Sequence, residues 1–126
     1  MNKIISIFNK VLNTNKRLEP EVFDAYLHRL PGKIRVDWRR DGKYIIGEVT
    51  AEENKFMTQG RSGEEFVEMV NDAVYTMYDV PEDYRHAVRQ SRAYNPSSDE
   101  QQKLEDVGIK SSAISFSKSE KALRTT

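Results

Sequence analysis

The sequence predicts an α+β domain: a three- or four-stranded antiparallel sheet packed by one main helix, with added N-terminal helices. Three observations lead there. From Lys33 the apolar residues Ile34, Val36 and Trp38 alternate with Arg35, Asp37 and Arg39, the period of a half-buried strand. Asp41-Gly42 then supplies the dipeptide that suits a two-residue hairpin turn. Beyond Gly60 the period lengthens to that of a helix, with Phe66, Val67, Met69, Val70, Ala73, Val74, Met77 and Tyr78 on one broad side.

Taken in order, Ile4, Ile5, Ile7, Phe8, Val11 and Leu12 recur at helical spacing and predict a short amphipathic helix, which Asn13-Thr14-Asn15 ends. A second helix starts near Pro20, whose fixed φ suits a first turn. It places Val22, Phe23, Tyr26, Leu27 and Leu30 on one face before Pro31-Gly32. In the hairpin, pairing Arg40 with Lys43 sets Trp38 opposite Ile45, Val36 opposite Gly47 and Ile34 opposite Val49 on an apolar face. The other face receives Arg35 opposite Glu48, Asp37 opposite Ile46 and Arg39 opposite Tyr44. Gly47 leaves room there for Trp38 or a helix residue.

A polar loop at residues 51–54 leads to a third strand, Lys55 to Gln59, which Gly60 ends. Ser62 and Glu65 form an S-x-x-E capping box at the start of the main helix, and Pro81 closes that helix. Glu82 to Ala93 is a further short helix with Arg85, Arg89 and Arg92 on one side. Ser98 with Gln101 caps a brief helix ending at Gly108, residues 112–117 are a candidate last strand, and residues 118–126 read as a frayed end. The organisation is therefore a helical extension over 1–32, a core over 33–93 and a partly flexible C-terminal arm over 94–126.

Composition narrows the function. The chain has 126 residues, no cysteine, 20 basic and 20 acidic side chains, and so no formal net charge. Binding of nucleic acid by bulk positive charge is excluded, as are disulfides and thiolate chemistry. The hydrophobic fraction of 37% is low against an average of about 45–50%, which places part of the chain outside a packed core. The N-terminal apolar run is too short for a signal peptide or membrane span, so the reading is of a soluble, cytoplasmic protein with no membrane association. The zero net charge is segregated: residues 1–43 carry +5, residues 44–84 carry −8 and residues 85–126 carry +3.

No residue pattern recommends catalysis, and no cofactor or metal is expected. His28 and His86 are far apart in sequence and lack the spacing of a zinc helix. Gly60-Arg61-Ser62-Gly63 opens a helix but lacks the lysine of a phosphate loop, and reads as a strand-to-helix turn.

The stretch Tyr44-Ile45-Ile46-Gly47, followed by Phe56-Met57-Thr58-Gln59-Gly60-Arg61-Ser62-Gly63-Glu64-Glu65-Phe66 and an amphipathic helix, resembles the HicB-like antitoxins over residues 33–80. The matching motif is Thr58, Gln59, Gly60, Ser62, Glu64 and Glu65. Val49 to Asn54 stands where the family has an aromatic-Pro-Asp-Leu-Pro-Gly bend, and neither end of the chain carries a recognisable DNA-binding module. The resemblance implies a truncated ribonuclease-H-like fold without catalysis. It also implies a small, basic, toxin-like protein as partner.

Two functions follow as expectations. The first is a non-catalytic interaction domain whose helix face of Glu65, Glu68, Asp72 and Asp79, with Tyr75 as aromatic anchor, meets a basic partner. The alternative is a nucleic-acid-binding regulator that contacts phosphates through Arg85, Arg89 and Arg92, joined by Arg39, Arg40 and Lys43 at the hairpin tip. A homodimer is a candidate assembly, and a pocket at Gly47 a candidate ligand site.

Overall fold

The computed structural model describes residues 18–119, with the backbone alone at Ser119. The elements are helix α1 (Pro20–Arg29), strands β1 (Lys33–Asp41), β2 (Tyr44–Ala51) and β3 (Asn54–Gly60), helices α2 (Gly63–Met77) and α3 (Glu82–Ser91), strand β4 (Ala93–Asn95), helix α4 (Ser98–Glu105) and strand β5 (Ser111–Ser119). The helix expected over residues 4–12 lies outside the described residues.

The fold is α+β, and its antiparallel sheet has five strands in the order β3-β2-β1-β5-β4, rather than three or four. The segment from residue 93 on, expected to hold a brief helix and a last strand over 112–117 in a partly flexible arm, supplies β4, α4 and β5. β5 pairs with the side of β1 that the hairpin leaves open, and three-residue β4 pairs with β5. Lys118 and Ser119, expected to fray, belong to β5, where Lys118 Nζ donates to the carbonyls of Leu27 and Leu30 at 3.2 and 3.0 Å.

The β1–β2 hairpin keeps its expected faces but shifts its register by two residues. Asp41 pairs with Tyr44, Trp38 faces Gly47 and Val36 faces Val49. The turn is therefore Gly42-Lys43, with Gly42 at φ 63°. A positive φ at the first central residue alone is the type II′ pattern, for which glycine is favoured. Because strand side chains alternate with a period of two, a two-residue shift leaves every apolar side chain on the core face. The expected cross-face pairs do change. Asp37 lies opposite Glu48, and its charge is met instead by Arg35 on the same strand at 3.0 Å. The Tyr44 ring receives Arg61, 5.8 Å from its centroid, while Arg39 approaches Asp41 at 3.7 Å.

One face of the sheet is buried, through Ile34, Val36, Trp38, Ile45, Val49, Ala51, Ile114 and Phe116, and the helices close over it. α2 lies chiefly over β3, also touches β4, β2 and α4, and brings Phe66, Val70 and Val74 into the core. A Cβ at Gly47 would lie 2.5 Å from Phe66 Cζ, so the space foreseen for a ligand at Gly47 is occupied by Phe66. α1 buries Phe23 and Leu27, and is tied to α3 where Tyr26 and Tyr84 meet edge to face at 5.2 Å. The Tyr84 hydroxyl also accepts the Glu19 amide at 3.0 Å.

Candidate functional site

The joint between β3 and α2 carries the Thr58 to Glu65 motif. Gly60 is buried, and a Cβ there would lie 2.6 Å from the Phe66 nitrogen, so only glycine lets the strand end meet the first helical turn. Ser62 is the N-cap, its hydroxyl accepting the Glu65 amide at 3.1 Å. The Glu65 carboxylate does not close the expected reciprocal box. It reaches one residue further back and accepts the Arg61 amide at 2.7 Å. Thr58 is half-buried, while Gln59 and Glu64 are exposed. Gly60, Ser62 and Glu65 thus all shape the joint itself.

Beyond the joint, Glu65, Glu68 and Asp72 are exposed on α2, offset by three and four residues and therefore on one side of the helix. Glu52 and Glu53 are exposed at the β2–β3 turn, and the Glu52 carboxylate accepts from the Tyr78 hydroxyl at 2.6 Å. That contact ties the turn to the far end of α2. Asp79 is exposed just past the helix, at φ 57°.

Tyr75 corrects the expectation. It is fully buried, and its hydroxyl donates to the Arg92 carbonyl at 2.8 Å and to Asn71 Oδ1 at 3.3 Å. It cannot anchor a partner at the surface. Burial pushes its phenol well above the usual tyrosine range, with the nearby Arg89 opposing. Asn71, also fully buried, is a residue that sequence reasoning missed. Its side-chain amide donates to the Val67 and Tyr94 carbonyls, each at 2.9 Å, and accepts the Tyr94 amide at 2.6 Å. The signal was its spacing of four from both Val67 and Tyr75, which sets a polar amide on a covered side of the helix.

The basic residues of the alternative reading separate into different tasks. Arg40 donates through Nε to the Ile109 carbonyl at 2.7 Å and through Nη2 to those of Lys103, Leu104 and Asp106 at 3.1, 2.5 and 2.8 Å. Its guanidinium also stacks 5.3 Å from the Trp38 ring centroid. Arg85 donates to the Val80 carbonyl at 2.9 Å. Arg92 lies past the end of α3 with extended backbone, so Arg85, Arg89 and Arg92 do not form one helical row. Arg39 and Lys43 are exposed at the hairpin tip.

Among the described residues, no group of three His, Asp or Glu side chains is placed to hold a metal ion, and no helix is long and apolar enough to cross a membrane. His28 Nδ1 lies 2.9 Å from the carbonyl of Asp24 within its own helix. An open depression of about 530 Å³ lies on the uncovered sheet face, between Asp37, Arg39, Ile46, Glu48 and Met57. No family model matches the chain, and no match was found among curated proteins or among solved structures.

Proposed function

We propose that the protein is a non-catalytic interaction domain that binds a small basic partner protein, with α2 and the β2–β3 turn as its contact surface. The observation that carries this reading is the exposed acidic side of α2, Glu65, Glu68 and Asp72, continued at the turn by Glu52 and Glu53. Segregated charge of this kind steers encounter with an oppositely charged protein and selects against like-charged ones. The resemblance of residues 33–80 to the HicB-like antitoxins supports the same kind of partner, a small basic toxin. Tyr75 is left out of the contact surface because it is buried. The nucleic-acid alternative is weakened by Arg40 and Arg85, whose guanidinium groups are engaged with backbone carbonyls.

Glu68→Lys with Asp72→Lys tests the reading, since both side chains are exposed. Affinity capture from the native host should recover a small basic protein with the unaltered chain and lose it with the double variant. Equal recovery by both would reject the acidic face of α2 as the contact.

A further inference from the structure

The two edges of the sheet are treated differently. At β4 the outward N–H and C=O of Tyr94 are both taken by the Asn71 side-chain amide, which stands in for a neighbouring strand. β3 is the other edge, and among the described residues no strand pairs with its outer side. Edge strands are commonly blunted by proline, by bulges or by clustered charge, because unpaired backbone groups invite another chain. β3 pairs without interruption from Ala51↔Asn54 to Ile45↔Gly60, contains no proline and carries Lys55 as its one charge. Its central Met57 is 59% exposed.

The surface beside this edge has a definite chemistry. Asn71 and Tyr75 occupy the flank of α2 that faces β4 and the end of α3. Met69, Ala73 and Met77 lie two positions away from them, about 200° round the helix and so on its opposite flank, and β3 is the strand that α2 packs against most. Met69 is 39% exposed, and Ala73 and Met77 are half-buried, so the flank offers an apolar stripe. Glu65, Glu68 and Asp72 continue the surface past that stripe, and Glu52 and Glu53 stand at one end of the strand.

We propose that β3 accepts an extended cationic segment of the partner as an added strand. Arginine or lysine stems would lie along Met69, Ala73 and Met77 and set their charged heads against Glu65, Glu68 and Asp72. Charge complementarity selects this occupant over a second copy of the chain, because pairing β3 with β3 would bring two acidic α2 helices together. The proposal rests on the acidic-face reading of the preceding section and adds the strand edge to it.

The probe is a capped peptide of four Arg-Thr repeats, compared with its Glu-Thr counterpart and with two N-methylated forms, one methylated at every Thr and one at every Arg. Backbone groups of one parity face one side of a strand, so one methylated form removes the donors that face β3. The Arg-Thr peptide should bind, and the fast-exchanging amides of residues 54–60 should slow by at least about ten-fold. The Glu-Thr peptide and one of the two methylated forms should do neither.

Binding of the Arg-Thr peptide that is lost in Glu68→Lys with Asp72→Lys, but leaves the β3 amides unchanged and tolerates both methylations, would overturn the strand edge and keep the acidic face. No binding by the Arg-Thr peptide would overturn both. Slow β3 amides in the peptide-free protein would also overturn the proposal. A dimer mass on sedimentation would then assign the edge to a second copy, and a monomer mass would assign it to residues 1–17.

Discussion

Asp79 occupies a backbone position that suits glycine. The Val80 amide bonds to the Tyr75 carbonyl at 2.8 Å and the Asp79 amide to the Thr76 carbonyl at 3.1 Å, the two hydrogen bonds of a Schellman ending, with Asp79 at the left-handed position. A side chain there is strained, and a carboxylate near the negative end of the helix dipole is disfavoured as well. Asp79→Gly relieves both, against a smaller loss from greater freedom of the unfolded chain. The expected gain is about 0.5–1 kcal/mol, read as a higher urea midpoint at unchanged slope. If Asp79 serves the acidic contact surface, the same variant should be more stable and bind the basic partner less well. Asn71 shows the opposite economy at this scale, since one buried amide satisfies the carbonyl of its own helix and both outward groups of a strand.

At the scale of elements, α4 is held at its end by a residue distant in sequence. Its start is self-contained: Ser97 accepts the Glu100 amide at 3.2 Å and Glu100 accepts the Ser97 amide at 2.9 Å, a complete capping box one residue earlier than the expected Ser98 and Gln101. Its end is not self-contained. The carbonyls of Lys103, Leu104 and Asp106 converge on Arg40 from β1, which holds both the helix end and the loop leading into β5. Arg40→Met keeps much of the packing on Trp38 and leaves those carbonyls to water. Loss of charge-assisted hydrogen bonds at a half-buried site should cost about 2–3 kcal/mol. Arg40→Lys should recover only part of it, because one ammonium cannot fan across the same carbonyls. Urea unfolding of the three proteins, with amide exchange followed over residues 103–110, measures both effects. An unchanged Arg40→Met midpoint would remove Arg40 from the stabilising contacts.

For the whole molecule, what was legible in the sequence was local. The hairpin faces, the third strand and the helix after Gly60 are written in side-chain period, and the faces survived a register error because that error was two residues. The acidic side of α2 follows from spacing within one helix. The burial of Tyr75 does not, because the cover over it comes from the end of α3 and from β4, which arrive later in the chain. β4 was obscure because it has only three residues; the last strand was legible as residues 112–117 from Ile114 and Phe116, but not its extent to Ser111–Ser119 or its pairing with β1.

This later cover also sets how the molecule should respond to alkali. Burial raises the Tyr75 and Tyr94 phenols far above their unfolded value near 10, and the Tyr94 hydroxyl donates to the Pro31 carbonyl at 2.5 Å. Below about pH 10 both phenols are protonated in the folded and unfolded states, and their contribution is fully present. Above it the unfolded chain releases two protons that the folded chain retains, so stability falls as pH rises toward the folded values. Each phenol adds a slope approaching about 1.4 kcal/mol per pH unit. Urea midpoints between about pH 9 and 11.5 should fall less steeply in Tyr75→Phe than in the unaltered protein, even though the variant starts lower at neutral pH for want of the bond to the Arg92 carbonyl. Equal slopes would mean that Tyr75 ionises without unfolding, and that the α3–β4 layer opens locally while the rest of the fold holds.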